Sequence, residues 1–300
     1  MKIIFLGKDG QLGRSIFKLI NLKKRNKKNL ISDFTFIGRE ELSMDSLDDI
    51  EKYFDKNRYD ILVNCSAYTA VDKAEEEKEI ANQINHLAVK KLAEIAYKNN
   101  CNLIHISTDY VFDGKNKKSY NESDETNPIN IYGESKLAGE KAIQDTMENN
   151  ATIIRTSWVY SEFGNNFLKT MLKLGKKLEE IEVIKDQIGS PTYASDLAQM
   201  ILNILETKYS KKIDSKTEIY HFTNEGEISW HEFSIEIFKL AKIDCKTKPI
   251  ESKYYKTKAK RPRNSVMSKK KIQQDFNINL VPWKHSLKKA IEVLQGNNCK

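Results

Sequence analysis

The chain has 300 residues, of which 39% are hydrophobic and 31% are charged, and its formal net charge is +8. This length allows one large domain with a smaller lobe, and the composition is typical of a globular protein rather than a disordered one. The apolar run that ends at Gly7 is too short for a signal sequence or a membrane span. We therefore expect a cytoplasmic protein that does not contact a membrane.

The positive charge favours an anionic ligand but does not require nucleic acid. Only seven of the 50 basic residues are arginine, and the densest basic run, Lys23–Lys28, is typical of a solvated loop. A positive surface also suits the phosphates of a nucleotide. The cysteines, Cys299 among them, show no C-x-x-C spacing, so neither a metal site nor a disulfide framework is expected.

Apolar strands and amphipathic helices alternate over the first 155 residues. Strands are predicted at 2–6, 34–37, 60–64, 102–107 and 151–155, and helices at 11–22, 46–56, 79–98 and 131–148. This alternation predicts an α/β fold with a doubly wound parallel sheet. Later segments are more irregular, with helices near 164–177, 194–206, 229–241 and 284–295 and strands near 181–184 and 219–222. We interpret 1–160 as the sheet domain and 161–300 as mainly a smaller, partly interleaved lobe, some segments of which return to the sheet domain.

A glycine-rich turn follows the first strand directly and opens the first predicted helix. It has the spacing G-x-x-G-x-x-G, with Gly7, Gly10 and Gly13. Glycines let the backbone turn tightly and approach a pyrophosphate, and the free N–H groups of the helix face that anion. The context predicts a Rossmann-type, NAD(P)-binding domain over 1–160 and a substrate-binding lobe beyond it.

Coenzyme choice is expected to depend on the end of the second strand. An acidic residue there normally reads the ribose 2′-hydroxyl, but this chain has Arg39. A guanidinium suits a 2′-phosphate, so NADPH is favoured slightly over NADH. After the third strand, the small residues that precede Tyr68 leave room for the coenzyme.

Tyr132 and Lys136 lie four residues apart on a predicted helix and therefore share one face. A phenol has a pKa of about 10, and a neighbouring cation is expected to lower it. Tyr132 is then expected to protonate a carbonyl oxygen as hydride arrives, while Lys136 also holds the nicotinamide ribose. Thr108, at the end of the fourth strand, is placed to polarise that carbonyl. His105 is expected to be a satisfied core residue rather than an acid or base.

Several motifs together resemble the extended short-chain dehydrogenases, specifically the dTDP-4-dehydrorhamnose reductase family. They are the glycine turn, Ser107–Phe112, Tyr132–Glu140, Arg155–Tyr160, Gly164–Phe167, Asp186–Thr192 and Arg261–Ser265. The resemblance spans almost the whole chain. It implies reduction of the C4 carbonyl of a dTDP-linked keto-sugar, dTDP-4-dehydro-L-rhamnose, to give dTDP-L-rhamnose.

The resemblance also implies roles for individual residues. Tyr132 would be the proton donor, Lys136 would contact the coenzyme, Thr108 and Asp109 would contact the substrate, and Trp158 would pack against the sugar. The coenzyme contacts that we expect are Gly7, Gly10, Gln11, Leu12, Gly13, Arg39, Ser43, Met44, Ala67, Tyr68, Thr69, Ile106, Tyr132 and Lys136. Some relatives dimerise through a magnesium ion, but this chain has Ser15 at one such position, so we expect no metal and a monomer or weak homodimer.

Two alternatives stay open at this point. A nucleotide-sugar epimerase, or a ketoreductase of different stereochemistry, would share the fold and the Tyr-Lys pair. Dehydratases typically carry Thr-Asp-Glu, whereas Tyr110 follows Thr108 and Asp109 here. A non-catalytic NAD(P)-binding regulatory subunit is the other alternative, because a fold alone does not establish chemistry.

Overall fold

The computed structural model describes residues 1–25, 33–207 and 216–296. In chain order its strands are β1 (Lys2–Leu6), β2 (Asp33–Ile37), β3 (Ile61–Asn64), β4 (Asn102–Thr108), β5 (Ala151–Thr156), β6 (Val159–Tyr160), β7 (Glu180–Ile184), β8 (Ile188–Gly189), β9 (Thr192–Tyr193), β10 (Glu218–His221), β11 (Ile228–Ser229) and β12 (Lys246–Ile250). Its helices are α1 (Gln11–Arg25), α2 (Leu47–Lys56), α3 (Val71–Ala74), α4 (Lys78–Asn82), α5 (Ala88–Lys98), α6 (Ile131–Thr146), α7 (Phe167–Gly175), α8 (Ala194–Thr207), α9 (Trp230–Ala241), α10 (Lys270–Phe276) and α11 (Trp283–Leu294).

Six parallel strands form the central sheet, in the order β10-β5-β4-β3-β1-β2. All four residues of β3 are buried, as expected for a strand that is covered on both faces. One apolar cluster joins the sheet to α1 and α8 through residues such as Ile16 and Ile201. A second cluster joins the other face to α2, α5 and α6 through residues such as Phe54 and Ile143. The predicted doubly wound α/β fold is confirmed.

The second half of the chain contributes to both parts of the molecule. Strand β10 extends the central sheet beside β5, and α8 packs against α1. A separate apolar core, which includes Leu168, Phe233 and Leu287, holds α7, α9 and α11 together. In this second lobe β7 and β12 form a parallel pair. The boundary between domains near residue 160 stays a prediction.

The helix predicted over 79–98 is interrupted by a π-helical turn at Gln83–Leu87. This turn includes the buried Asn85, whose side chain accepts from the N–H of Tyr68 at 2.9 Å and donates to the carbonyl of Tyr68 at 3.0 Å. The side chain also donates to the hydroxyl of Ser135 on α6 at 3.0 Å. The π turn therefore holds the loop that follows β3 in place. The spacing of apolar residues in the sequence does not indicate this role.

Some expectations differ from the structure or lie outside it. Helix α1 continues to Arg25, so the first half of the basic run Lys23–Lys28 is helical rather than looped, and residues 26–28 and Cys299 lie outside the described residues. Strand β12 and helix α10 were not predicted. Strand β12 carries two lysines and a proline in five residues, which is not typical of a strand. Within the described ranges, every helix is too short or too polar to span a bilayer.

Candidate active site

A cavity of about 840 Å³ opens at the carboxyl edge of the central sheet. The strand order reverses between β1 and β3, and ligands of doubly wound folds bind in the crevice at such a point. The cavity wall includes Gly7 after β1, Arg39 after β2, Ser66 after β3 and Tyr110 after β4. Trp158 and residues of the second lobe close the other side. The topology thus brings both lobes to one site.

The residues predicted from sequence meet at this cavity, with one exception. Those that line it are Gly7, Gly10, Gln11, Leu12, Arg39, Ser43, Met44, Ala67, Tyr68, Thr69, Ile106, Thr108, Asp109, Tyr132, Lys136 and Trp158. Gly13 does not line the cavity. Its position beneath the glycine turn gives it a packing role instead.

The glycine turn depends on the absence of side chains at two positions. Gly7 has a φ of +84°, and a Cβ there would lie 2.8 Å from the backbone nitrogen of Ser66. A Cβ on Gly13 would lie 2.2 Å from the carbonyl oxygen of Gly7, so α1 reaches the turn only with glycine at this position. The first turn of α1 carries no acidic side chain. Free N–H groups at the start of α1 and the positive end of that helix fit a dinucleotide pyrophosphate, and the Asp9 carboxylate lines the cavity beside them.

The side chain of Gln11 points to the second lobe. Its Oε1 accepts from the Ser161 hydroxyl at 2.9 Å and from Asn166 Nδ2 at 2.8 Å, and its Nε2 donates to the carbonyl of Val159 at 3.3 Å. Any pyrophosphate contact from Gln11 must therefore use its backbone N–H. The side chain joins the start of α1 to the segment that follows β6, a role that the sequence did not reveal.

Two cations lie near the β2 end of the cavity, Arg39 in its wall and Lys8 beside it, and each is paired with a carboxylate. The Arg39 side chain is 79% exposed and lies 3.3 Å from a carboxylate oxygen of Asp45. A hydrogen bond from Ser43, together with Arg39, holds the pKa of Asp45 below its usual range. Lys8 pairs with Glu41, whose second oxygen accepts from the N–H of Gly38 at 2.9 Å. An exposed guanidinium whose one partner among the described residues is a long contact to Asp45 is able to turn toward a 2′-phosphate.

Helix α6 begins at the chemical end of the cavity. Asn130 caps it by accepting from the N–H of Gly133 at 2.8 Å. A Cβ on Gly133 would lie 2.2 Å from the carbonyl oxygen of Tyr110, so this glycine lets α6 approach the loop after β4. The Tyr132 ring consequently lies edge-on to Tyr110, with 5.6 Å between ring centroids. The hydroxyl of Thr108 lies close enough to its phenol to oppose the rise in the pKa of Tyr132.

The expectation of an acidic phenol is wrong. Burial raises the pKa of Tyr132 to about 12, while the Thr108 hydroxyl opposes this shift and the Asp109 carboxylate adds to it. Lys136 Nζ instead donates to the carbonyl of Ile106 at 2.7 Å and lies 3.1 Å from His105 Nε2. Burial lowers the pKa of Lys136 to about 8. The lysine is thus bonded on the β4 side rather than paired with the phenol.

Asp109 is a buried carboxyl group in the wall of the cavity. Its Oδ1 accepts from the Thr108 hydroxyl at 3.1 Å, and its Oδ2 has no hydrogen-bond partner within the described part of the chain. Burial raises the pKa of Asp109 to about 6, although the hydroxyls of Ser265 and Thr108 oppose the shift. An open buried acceptor in a ligand cavity suits a substrate hydroxyl.

Trp158 has an unusual backbone, with a φ of +48°, and a neighbour that the sequence did not point out. Its ring stacks on Trp230 with 3.5 Å between centroids and an interplanar angle of 9°. A Cβ on Gly189 would lie 2.6 Å from the Trp158 ring. Trp230 also lines the cavity, and the signal available for it was the capping box formed by Ser229 and Glu232 at the start of α9.

No group of three or more His, Cys, Asp or Glu side chains suited to a metal ion occurs in residues 1–25, 33–207 and 216–296. The absence of a metal stays a prediction for the whole chain. A cleft that joins a dinucleotide turn to a tyrosine, a lysine and a threonine is the arrangement that carbonyl reduction requires.

Known proteins are similar to this chain in both sequence and fold. A family model described as "RmlD substrate binding domain" matches residues 1–295. The dTDP-4-dehydrorhamnose reductase of Aggregatibacter actinomycetemcomitans is 39% identical over 96% of this chain and 97% of its own length. The crystal structure of a dTDP-4-dehydrorhamnose reductase from Clostridium acetobutylicum is 37% identical and has a TM-score of 0.90, over 98% of this chain and 100% of that one.

The dTDP-4-dehydrorhamnose reductase of Bacillus anthracis, solved in complex with NADP, is 34% identical and has a TM-score of 0.86, over 96% of this chain and 98% of that one. These similarities cover both lobes and therefore the whole cavity. The chain belongs to the dTDP-4-dehydrorhamnose reductase family.

Proposed function

We propose that this protein reduces the C4 carbonyl of dTDP-4-dehydro-L-rhamnose to give dTDP-L-rhamnose, with NADPH as the hydride donor and NADH as a second usable coenzyme. Family membership supports the reaction, and the NADP complex of a relative supports the coenzyme. The observation that carries the proposal is a single cavity that joins the glycine turn to Tyr132, Lys136 and Thr108.

The coenzyme would occupy the cavity from the β2 end to the start of α6. Backbone N–H groups at Gln11 and Leu12 would hold the pyrophosphate beside Gly10, whose own N–H donates to the carbonyl of Gly7 at 3.1 Å, and Gly7 and Gly13 would keep the turn tight. Arg39, Ser43 and Met44 would contact the adenosine end. Ala67, Tyr68, Thr69 and Ile106 would line its middle, and Lys136 would hold the nicotinamide ribose. When bound there, the nicotinamide supplies the hydride.

Tyr132 would donate the proton that completes the reduction. Because burial raises its pKa, the phenol is fully protonated at neutral pH, which is the form that donates. The proton passes from the phenol to the C4 oxygen, which becomes a hydroxyl, and a phenolate is left on Tyr132. The hydroxyl of Thr108 would polarise the carbonyl before this transfer. The Lys136 ammonium would stabilise the phenolate after it.

The substrate would enter from the side of the second lobe. Asp109, with its open buried oxygen, would accept a sugar hydroxyl, and Trp158 would form an apolar wall for the ring. We further propose that 1–160 is mainly coenzyme-binding and 161–300 mainly substrate-binding. We also propose that the protein is a cytoplasmic monomer or weak homodimer that binds a dTDP-sugar and no nucleic acid.

One assay tests the reaction. The protein is incubated with dTDP-4-dehydro-6-deoxyhexose made in situ, NADPH or NADH is supplied separately, and the loss of nicotinamide absorbance is followed. We expect one coenzyme to be oxidised for each sugar reduced. A new sugar without net oxidation would indicate an epimerase, and coenzyme binding without turnover would indicate a regulatory subunit.

A further inference from the structure

His105 lies behind Lys136, and the reaction proposed above leaves it unused. The ring is fully buried on β4, with Nδ1 3.1 Å from Asn64 Nδ2 and Nε2 3.1 Å from Lys136 Nζ. Burial holds the pKa of His105 well below its usual value, so the ring is neutral and carries one proton. One ring nitrogen therefore donates a hydrogen bond and the other accepts one.

The position of that proton follows from Asn64. Asn64 Oδ1 accepts from the backbone N–H of Ser66 at 3.0 Å and from the Ser66 hydroxyl at 2.5 Å. A backbone N–H can only donate, so this atom is the amide oxygen and Nδ2 faces His105. Because Nδ2 is itself a donor, His105 Nδ1 must accept from it. The proton of the imidazole then lies on Nε2.

This proton points at Lys136, which has a second partner. Lys136 Nζ also donates to the carbonyl of Ile106 at 2.7 Å. A neutral amine satisfies both contacts, because its lone pair accepts from Nε2–H while one N–H donates to Ile106. An ammonium has no lone pair, so a charged Lys136 facing Nε2–H would place two donors against each other.

We propose that His105 is a positioning residue whose tautomer is coupled to the protonation state of Lys136. The amine state has the ring proton on Nε2 and keeps the bond from Asn64. The ammonium state has the ring proton on Nδ1 and loses that bond. The two states differ by one proton, which Lys136 exchanges with water in the cleft. His105 and Asn64 thereby set the pH above which a phenolate on Tyr132 has no cation beside it.

The other charged groups near Lys136 do not take over the effect of His105 and Asn64 on its protonation state. Glu140, one turn later on α6, favours the ammonium, but it is itself held by Arg155 of β5 at 2.7 Å. Tyr132, one turn earlier, is neutral because burial raises its pKa, and the buried Asp109 raises that pKa further. The pKa of Lys136 is lowered to about 8. The two states are thus expected to exchange near that pH.

Nitrogen NMR of protein with ¹⁵N-labelled histidine, without coenzyme, tests the coupling directly. We expect the Nε2–H tautomer of His105 at about pH 10 and the Nδ1–H tautomer at about pH 6, with the same midpoint as the Lys136 side-chain carbon signal. His105→Gln assigns the signal. If that variant does not fold, Gln substitutions at the remaining histidines assign it by elimination. A single tautomer throughout the titration would overturn the proposal.

Asn64→Asp provides the matched perturbation. A carboxylate at this position accepts from Nδ1–H, so it fixes that tautomer and leaves Nε2 free to accept from the ammonium. We expect the Nδ1–H tautomer at every pH and a Lys136 midpoint about one pH unit higher. The double variant Asn64→Asp with His105→Gln keeps the new charge and removes the imidazole. An equal upward shift in the double variant would mean that charge alone acts, which would contradict the proposal.

A kinetic measurement adds the link to the reaction, and only this part rests on the proposed function. The basic limb of the pH profile of kcat/KM is expected to move up with the Lys136 midpoint in Asn64→Asp. A limb that stays in place while the tautomer switches would show that His105 does not act in the reaction. If the Asn64→Asp chain fails to fold, the titration of the native protein alone decides between the tautomers.

Discussion

The two ends of the cleft are built in different ways. The coenzyme end consists of consecutive backbone, where Gly7, Gly10 and Gly13 create room by lacking side chains. The chemical end consists of side chains from separate elements, with Thr108 at the end of β4 and both Tyr132 and Lys136 on α6. Substitutions are therefore expected to act through steric exclusion at the first end and through proton transfer and charge at the second.

Tyr132→Phe is expected to show the largest difference between the chemical end and the coenzyme end of the cleft. This change removes the proton donor but keeps the ring that packs on Tyr110. We expect kcat to fall about 10²-fold to 10⁴-fold, while the dissociation constant of NADPH stays within about twofold. Tyr97→Phe, which alters an exposed ring on α5, is the control. An unchanged kcat in Tyr132→Phe would contradict the assignment of proton transfer to the chemical end of the cleft.

The chemical end is also expected to affect how the free energy of unfolding depends on pH. Because the pKa of Asp109 is raised to about 6, the folded protein binds more protons at this group than the unfolded chain does between about pH 4 and about pH 6. The stability contributed by Asp109 is therefore greatest at low pH and is lost as pH rises through about 6. Relative to Asp109→Asn, we expect a gain of up to about 3 kcal/mol on acidification, measured by denaturant unfolding.

Asp113, four residues later, provides a control of opposite sign. The N–H of Lys115 lowers the pKa of Asp113, so its contribution is present at neutral pH and is lost as pH falls. Parallel slopes for Asp109→Asn and Asp113→Asn would contradict the assignment of a buried, poorly compensated carboxyl group to the site.

The coenzyme end is tested by two alanine substitutions. Gly13→Ala places a Cβ 2.2 Å from the Gly7 oxygen, whereas the nearest atom to a Cβ on Gly10 is at 3.4 Å. We expect Gly13→Ala to lose about 1–3 kcal/mol of unfolding free energy and Gly10→Ala to lose little. Gly10 lines the cavity, so its variant should bind NADPH more weakly although it folds normally. Equal stability losses in the two variants would contradict this account of the turn.

The smallest effect concerns coenzyme preference. Arg39→Ala removes the exposed guanidinium near the predicted 2′-phosphate site, so KM for NADPH is expected to rise about tenfold while KM for NADH is unchanged. Lys52→Ala on α2 removes one positive charge at an exposed position away from the cavity and is the control. Equal changes in KM for the two coenzymes would show that Arg39 does not read the 2′-phosphate.

The features that could be predicted best from the sequence each lie within one short segment of the chain. The glycine turn and the Tyr132–Lys136 spacing are each contained in one short segment, so their place at the carboxyl edge of the sheet followed from the alternation of strands and helices. The π turn at Gln83–Leu87 and the stack of Trp230 on Trp158 depend on contacts between distant segments. Periodicity carries no information about such contacts.

The electrostatics of the site were the least predictable part. The spacing placed Lys136 beside Tyr132 but did not show that burial would raise the pKa of the phenol and lower that of the lysine. Nor did it show that His105 and Ile106 would take up the lysine head group. Both outcomes depend on the depth of the cleft, which only the packed structure defines.

In the proposed reaction, one cleft presents a protonated phenol to a carbonyl next to the coenzyme. A crystal structure of the protein with NADP⁺ and dTDP-L-rhamnose tests it most directly. We predict the coenzyme pyrophosphate on the N–H groups that follow Gly10 and the sugar O4 within hydrogen-bonding distance of the Tyr132 hydroxyl. A sugar O4 bound away from Tyr132, or a coenzyme held outside the glycine turn, would contradict the account.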